Sequence, residues 1–469
     1  MDKRLAYGIP AVAVVAILIT VAVLNVDSLT GGEEKLILIE FDTSRAGQHV
    51  RELIKNGPRM SGSTSEHLGA EYIANQFEDA GLQDVHIEQF TVPMFEVRWA
   101  SVMLIPYMGP FYNIPRTGIL PPEVVSFVHM KDFVLQGYSG SLNWNNFRDD
   151  LEVVNIGNGS DIGSYEASSG RICFVEQNAD TPPNAELYFY AYEAGARAII
   201  LQNVWRGEGI GYLPMFKSNQ NPLNYDRYPD IPFFMVSKAM GDEILDRAPE
   251  YKVRIDFDVF IGNMPIDVVV GDIKGTRNPD EYVIFGAHHD TCYNTVGVVD
   301  NTVGPATLIE IARGMHGYEP DTTIRFCTFG GEEEGLYGSI EYYKAHSGEF
   351  ADNVDLYINF DMAHVDPDTN RFTITTTQNS TIPLLEDLRD ELVESEPALN
   401  RYEINIVYDD MMWAASDHWP FTSHGHQAMG GWGSGCEEYH TYADDLTHLN
   451  HESLQIGGRI LGSYAVMTA

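Results

Sequence analysis

Three short apolar runs in the second half of the chain each lead into a segment that carries a histidine or a carboxylate. They span residues 282–285, 324–329 and 356–360. Each run has the length and composition of a buried strand. The segments that follow contain His288, Glu333 and Asp361. Because ligands gather at the carboxyl ends of strands in an open α/β sheet, the sequence places these three side chains on one rim.

The chain from about residue 256 onward alternates strand-like and helix-like segments, which is typical of an α/β sheet. One predicted helix, over 306–315, has its apolar residues on a single face. Earlier in the chain, 41–54 and 67–80 read as amphipathic helices. The stretch 97–255 differs, since it is rich in Tyr, Asn, Pro and Gly and contains no catalytic cluster, so we expect an inserted, mainly β domain.

The charge of the chain is strongly negative. Its 469 residues include 68 acidic and 29 basic side chains, for a formal net charge of -39. Such a surface repels polyanions, so we expect no nucleic-acid partner. The acidic residues are spread along the chain, which fits either an ordinary solvated surface or adaptation to high salt.

An uncharged apolar segment near the amino terminus, residues 5–24, is long enough as a helix to span a bilayer. Lys3 and Arg4 precede it, and acidic residues follow it. The positive-inside rule then predicts a single-pass anchor with the remaining chain outside the cytoplasm. The alternative is a secreted protein released by cleavage of a signal peptide.

Four cysteines are present, and their spacing matches no zinc knuckle. Cys173 and Cys327 lie in strand-like runs and are expected to be buried thiols. Cys292 and Cys436 lie near the proposed metal ligands, and a disulfide between these two is left open.

Five residues have the chemistry of zinc ligands, since zinc accepts histidine nitrogen and carboxylate oxygen. They are His288, Asp300, Glu333, Asp361 and His440. Two zinc ions that share one carboxylate can activate water for hydrolysis. We assign His288 and Asp361 to one ion, Glu333 and His440 to the other, and Asp300 to both.

Other residues are predicted to support this centre. Glu332, beside Glu333, is the expected general base, and Tyr439 could donate its O–H to a tetrahedral oxyanion. Asp290 is expected to accept the second N–H of His288, and Asp444 that of His440. The expected substrate pocket consists of Met411, Met412, Trp413, Asp417 and His418.

At these motifs the chain resembles the zinc aminopeptidase family that includes aminopeptidase Y, bacterial leucine aminopeptidases and plasma glutamate carboxypeptidase. The matching strings are at 286–290, 299–304, 331–339, 359–362, 416–418 and 439–441. The resemblance implies that the first Glu of the pair, Glu332, is the base and that Glu333 is a ligand. Segments 195–200 and 231–233 are similar to core strings of a protease-associated domain.

The resemblance implies a three-layer α/β/α catalytic domain with a mixed, largely parallel central sheet, into which a mainly β protease-associated-like domain is inserted. The expected order is a transmembrane anchor, the first catalytic part, the insert and the second catalytic part with the di-zinc site. The anchor covers residues 5–24, the first catalytic part 36–96, the insert 97–255 and the second catalytic part 256–469.

The function expected from these features is that of a membrane-anchored exopeptidase with two zinc ions and a peptide substrate. The rim motifs contain many carboxylates, and 414–443 contains no Arg or Lys, which favours binding of a free α-ammonium and hence an aminopeptidase for apolar first residues. The alternatives are a carboxypeptidase or dipeptidase of the same family, a single-zinc acyltransferase of glutaminyl-cyclase type, and a non-catalytic binding module. The presence of all five ligands and Glu332 argues against the last, and the sequence leaves the oligomeric state open.

Overall fold

The structure is a computed structural model that describes residues 36–107, 123–145, 149–218, 231–410 and 416–469. No helix within these ranges is long and apolar enough to cross a membrane. This finding corrects the expectation that the protein is a single-pass membrane protein. The segment for which the span was predicted, 5–24, lies outside the described residues.

The described strands are numbered in chain order. They are β1 Gln83–Pro106, β2 Val125–Ser126, β3 Phe133–Leu135, β4 Val153–Asn155, β5 Ile172–Glu176, β6 Ala198–Gln202, β7 Phe233–Val236, β8 Tyr251–Ile273, β9 Asn278–His288, β10 Thr322–Phe329, β11 Val354–Phe360, β12 Arg371–Thr376, β13 Glu403–Tyr408 and β14 Ala428–Gly433.

The described α-helices are numbered in the same way. They are α1 Thr43–Leu53, α2 Thr64–Ala80, α3 Asn184–Glu193, α4 Lys238–Arg247, α5 Val303–Gly314, α6 Tyr337–Ala345, α7 Ser347–Phe350, α8 Ile382–Ser395, α9 Trp419–Thr422 and α10 Leu454–Thr468.

A nine-stranded mixed sheet in the order β13-β12-β14-β11-β9-β10-β8-β1-β2 forms the larger layer. The adjacent strands β14, β11, β9 and β10 are parallel to one another. The expectation of a largely parallel sheet holds for this central part and for the parallel pair β12 and β13. It fails elsewhere, because β8, β1 and β2 pair antiparallel on one side and β12 pairs antiparallel with β14 on the other.

Helices pack on both faces of this sheet. On one face, Ile284, Phe329 and Tyr357 share a core with Tyr342 of α6 and Phe421 of α9. Apolar side chains alternate across a strand, so neighbouring positions point to the opposite face. There the ring of Phe326 lies 5.8 Å from that of Phe77 in α2. The mixed α/β architecture expected of the catalytic domain is confirmed.

Helix α2 shows how local sequence sets an element's ends. Ser63 caps its first turn by accepting the backbone N–H of Glu66. Gly81 ends it with a φ of 91°, a left-handed conformation that glycine adopts without strain. The helix therefore begins three residues before the predicted 67–80 and ends where expected.

The region between β1 and β8 contains a second, five-stranded sheet in the order β3-β7-β6-β5-β4. We call this the insert region, described over residues 123–145, 149–218 and 231–250. Its two ten-residue helices, α3 and α4, make it a mixed α/β unit and not the mainly β domain expected. Its likeness to a protease-associated domain stays a prediction.

The insert region and the larger sheet are joined by a long antiparallel ribbon. Strands β1 and β8 pair along their whole lengths, from Gln83 opposite Asp272 to Pro106 opposite Tyr251. One apolar core contains Phe133 and Phe234 of the insert region together with Ile266 and Tyr293 of the catalytic part. The described residues between 38 and 469 accordingly form one compact unit.

Candidate metal centre

The predicted rim exists at the carboxyl ends of the central parallel strands. Strand β9 ends at His288, and Phe329 at the end of β10 lies opposite it in register. Glu333 follows β10, and Asp361 follows directly on β11. Alignment of parallel strands brings these three side chains to one edge, as the sequence indicated.

The other two predicted ligands come from loops. Asp300 lies in an irregular turn, Val298–Thr302, just before α5. His440 lies in the segment after β14 and has a φ of 59°. A left-handed backbone is strained for a histidine, and such strain is found chiefly where the surrounding structure fixes a functional side chain.

The five side chains converge with Asp300 in the middle. Its Oδ1 is 3.2 Å from Nε2 of His288, and its Oδ2 is 3.0 Å from Nε2 of His440. Asp361 Oδ1 lies 3.4 Å from Nε2 of His288, and Glu333 Oε2 lies 3.0 Å from Nε2 of His440. The arrangement has the two pairs and the shared carboxylate that were expected, while the ligand role of each residue stays a prediction.

The chemistry of these donors fits zinc. The first group contains one donor atom from each of His288, Asp300 and Asp361, and these atoms lie within 4.8 Å of one another. Glu333 and His440 belong to a second group of this kind. All five residues are at most 7 % exposed, and Glu333 Oε1 has no hydrogen-bond partner. Buried carboxylates require a compensating cation, and two imidazoles with three carboxylates are a donor set that zinc accepts.

The acidic surroundings also act on the two imidazoles. Burial opposes protonation of His288, but Glu332 and Asp361 raise its pKa well above the ordinary value. Burial opposes protonation of His440 in the same way, while Glu333 and Asp300 raise its pKa to about 9. Carboxylates that attract a proton to an imidazole also attract a metal ion in its place.

Asp290 lies beside His288, and its role as acceptor of the second N–H of that histidine stays a prediction. Its Oδ1 is 3.4 Å from Nδ1 of that histidine. Its Oδ2 accepts a hydrogen bond from Ser61 Oγ at 2.9 Å and from the backbone N–H of Glu333 at 3.3 Å. One carboxylate therefore orients ligands of both groups.

The predicted role of Asp444 is corrected. It does not contact the imidazole of His440, because its carboxylate accepts the backbone N–H groups of Val299 and Asp300 at 2.8 and 3.1 Å. Burial raises the pKa of Asp444 to about 7. The Asp444 carboxylate therefore binds the backbone of the turn that carries Asp300.

The partner of His440 comes from the insert region. Nδ1 of His440 donates to the backbone carbonyl oxygen of Phe216 at 2.9 Å. This bond places the proton on Nδ1 and leaves Nε2 facing Asp300 and Glu333. The sequence offered no signal for this contact, because every residue has a carbonyl oxygen.

The two predicted catalytic residues border the same centre. Burial and the charges of Asp361, Glu333 and Asp417 raise the pKa of Glu332 well above its ordinary value. The ring of Tyr439 stacks on that of His440 with centroids 3.7 Å apart.

Burial, together with the charges of Asp300 and Glu333, raises the pKa of Tyr439 well above its ordinary value. Its phenol therefore stays protonated and is able to donate.

A cation that the sequence analysis did not single out lies beside this tyrosine. The Nζ atom of Lys217 is 4.7 Å from the centroid of the Tyr439 ring. The charge of Lys217 also lowers the pKa of His440. Lys217 was missed because it follows Phe216 in the insert region, where no catalytic motif occurs.

The predicted pocket residues are placed in part. Asp417 and His418 are fully buried, and burial raises the pKa of Asp417 to about 7. Met411, Met412 and Trp413 lie outside the described residues. A cavity of about 410 Å³ is lined by Met362, the residue after Asp361, and by Asp409 and Trp432.

The disulfide left open by the sequence is not formed, since Cys292 and Cys436 are free thiols. Cys292 is fully buried and belongs to the same group of potential ligands as Glu333 and His440.

Comparisons with known proteins agree with this geometry. Residues 268–465 match the model of "Peptidase family M28". Aminopeptidase YwaD of Bacillus subtilis is 23 % identical over 422 residues, which cover 86 % of this chain and 80 % of that protein. A glutamate carboxypeptidase 2 homolog of Caenorhabditis briggsae is 22 % identical over 83 % of this chain, which spans only 59 % of that relative's length.

Solved structures share the fold. A zinc aminopeptidase from Bacillus subtilis superposes with a TM-score of 0.68 at 20 % identity, covering 91 % of this chain and 94 % of that one. An aminopeptidase from Aneurinibacillus sp. strain AM-1 gives a TM-score of 0.62 at 20 % identity, covering 90 % and 93 %. The predicted resemblance to a zinc metallopeptidase family is confirmed, and the part of the chain that matches peptidase family M28 is residues 268–465.

Proposed function

We propose that this chain is a two-zinc exopeptidase that removes amino-terminal residues from peptides. The observation that carries the proposal is the position of Asp300, with one carboxylate oxygen toward His288 and the other toward His440. A carboxylate shared in this way is what two metal ions need as a bridge. The first group would consist of His288, Asp361 and Asp300, and the second of Glu333, His440 and Asp300.

Zinc held by these residues would supply Lewis-acid activation of the peptide carbonyl and of the attacking water. Glu332 accepts the water proton on its carboxylate and passes it to the departing amine. Burial raises the pKa of Glu332, which makes its carboxylate a better proton acceptor for this transfer. The phenol of Tyr439 donates to the developing oxyanion.

The charge around the centre supports an aminopeptidase. Asp361, Asp417 and Glu332 act electrostatically on one another, so negative charge is concentrated at this part of the rim. A free α-ammonium is stabilised by such a field, whereas a second carboxylate is repelled. The cavity at Met362 and Trp432 would accept an apolar first side chain.

A second candidate, a carboxypeptidase or dipeptidase, is favoured by one observation. Lys217 places an ammonium group beside Tyr439 and close enough to the metal centre to act on His440. A positioned cation of this kind can bind a terminal carboxylate. If this candidate is right, Lys217→Met should lower kcat/KM for peptides with a free carboxylate. The same variant should leave kcat/KM for aminoacyl amides unchanged.

Two single variants at adjacent positions test the proposed roles of Glu332 and Glu333. Glu332→Gln should retain bound zinc and lower kcat by roughly 10²–10⁴, the usual contribution of a general base. Glu333→Gln should instead reduce the bound zinc by one ion per chain relative to the parent. Loss of zinc in Glu332→Gln, with full occupancy in Glu333→Gln, would show that the two roles are exchanged.

A further inference from the structure

A second cluster of potential metal ligands lies outside the centre described above. It consists of Asp366, Cys436 and His448, each of which offers one donor atom within 4.8 Å of the other two. Asp366 follows β11, Cys436 follows β14, and His448 ends a short 3-10 helix, Leu446–His448. Three separate loops therefore contribute one donor each.

Direct contacts bind this cluster together. Nδ1 of His448 is 2.7 Å from Oδ2 of Asp366. Nε2 of the same ring is 3.5 Å from Oε2 of Glu438, so Glu438 faces the other nitrogen of the imidazole and lies outside the group of three donors. The side chains of His448 and Glu438 are 13 % and 17 % exposed and that of Asp366 is 4 % exposed, so the cluster is largely shielded from water.

The charges at this cluster do not balance. Asp366, Glu438 and Asp444 all act on both the thiol of Cys436 and the imidazole of His448. A single imidazolium offsets only one of the two carboxylates, Asp366 and Glu438, that contact its ring. An excess of negative charge in a poorly solvated position favours a bound cation.

A simple His448–Asp366 ion pair would account for only part of the arrangement. It would explain the 2.7 Å contact but not the approach of the Cys436 sulfur. Burial and the neighbouring carboxylates hold the thiol protonated by raising its pKa, and a metal ion would reverse this by binding the thiolate.

We propose that Asp366, Cys436 and His448 bind a further zinc ion, separate from the two proposed at the catalytic centre. One sulfur, one imidazole nitrogen and one carboxylate oxygen form a mixed set suited to zinc, whereas calcium and magnesium bind through oxygen alone. The three protein donors come from separate loops, so one bound ion would tie these loops together.

The position of this site suggests what the ion does. Cys436 and Glu438 lie in the segment that continues to Tyr439 and His440. Thr441 donates two bonds to the carbonyl oxygen of Glu438, from its backbone N–H at 2.8 Å and from Oγ1 at 2.7 Å. A zinc ion here would fix the backbone that presents Tyr439 and His440 to the catalytic centre.

Cobalt substitution gives a readout that does not depend on activity. The metal-free full chain is titrated with Co²⁺, and a thiolate-to-cobalt charge-transfer band is sought in the near ultraviolet. The band should appear in the parent protein, disappear in Cys436→Ser and persist in Cys292→Ser. Cys292→Ser is the matched control, because Cys292 is the thiol beside Glu333 and His440.

Zinc content gives the second measurement. Under saturating Zn²⁺ followed by removal of free metal, the double variant Asp366→Asn/His448→Gln should hold one ion fewer per chain than the parent. Circular dichroism and thermal melting of the zinc-loaded variants check that they are folded. Absence of the band in the parent, its persistence in Cys436→Ser, or an unchanged zinc content in the folded double variant would each overturn the proposal.

Discussion

The backbone carbonyl oxygen of Phe216 lies 2.9 Å from Nδ1 of His440, although the two residues are 224 positions apart in the sequence. Through this bond the insert region sets the orientation of a predicted zinc ligand. The ring of Phe216 packs between those of Phe95 and Tyr293, at centroid distances of 5.9 and 5.6 Å, and this packing holds its carbonyl in place.

Truncation of Phe216 should therefore affect metal binding as well as folding. Phe216→Ala should cost about 3–5 kcal/mol of stability, as for other buried aromatic residues, and weaken zinc binding roughly 10–100-fold, as loss of a ligand's outer partner does. Phe174→Ala is the control, since Phe174 is equally buried in the same core but does not contact His440. Equal zinc affinity in the two variants would contradict the assigned role.

Asp444 should matter for the position of Asp300. In Asp444→Asn one acceptor oxygen is replaced by an N–H₂ group, so the N–H of Val299 or Asp300 loses its partner. We expect a loss of about 1–3 kcal/mol in stability and a roughly tenfold weaker zinc affinity, measured by competition with a chromogenic chelator. Asp445→Asn, which alters only the cap of the next 3-10 helix, should leave zinc affinity unchanged.

Arg59 should be a main support of the loop that carries His288. It is fully buried, and its Nε donates to the carbonyl oxygen of His289 at 2.7 Å and its Nη2 to Oγ1 of Thr302 at 2.6 Å. Burial lowers the pKa of Arg59 to about 10, so the guanidinium is still charged at neutral pH. Arg59→Gln should cost about 3 kcal/mol in denaturant unfolding.

The surface residue Arg51 offers a comparison for that result. Arg51→Gln should change stability by less than about 0.5 kcal/mol, because its guanidinium only donates to the carbonyl of Gly47 within α1. Similar losses in the two variants would remove the reason for assigning Arg59 this role.

The stability provided by His346 should depend on pH. Its ring contacts Glu88 at 3.0 Å and Glu349 at 2.9 Å, and the bond to Glu88 is the main cause that raises the pKa of His346. Because the pKa of His346 is higher in the folded protein, its stabilisation is complete below the pKa of the unfolded chain, about 6.5. The stabilisation is lost as pH rises through the pKa of the folded protein.

The same bond lowers the pKa of Glu88, so the contribution of Glu88 is lost as pH falls below about 4.5. His346→Gln should therefore cost about 1 kcal/mol between roughly pH 5 and 6 and less at pH 9, as measured by melting temperature. A cost that grows with pH would contradict this sign.

The parts of the site that the sequence could predict are those with local signals. Apolar runs with polar ends marked the strands that present His288 and Asp361, and the rule for parallel strands placed them on one edge. The misassigned partner of His440 shows the limit of this reasoning. The sequence puts Asp444 near His440, but the direction of a side chain in an irregular loop is set by tertiary contacts.

The antiparallel edge of the sheet was not predicted for a related reason. Strands β1 and β8 pair over more than twenty residues although the insert region separates them, and such long-range pairing leaves no periodic mark in either strand. Lys217 was missed on the same ground, because its closeness to Tyr439 depends on how the insert region packs against the catalytic part.

The central claim, a metal-dependent aminopeptidase, is tested most directly by one comparison of kcat/KM on the zinc-loaded protein. An aminoacyl amide with a free amino group and an apolar side chain should be hydrolysed, and an N-acetyl cap on the same compound should lower kcat/KM by roughly 10²-fold through loss of a buried charge contact. Faster hydrolysis of N-acetylated dipeptides with a free carboxylate, or no hydrolysis of either class with zinc bound, would contradict the account.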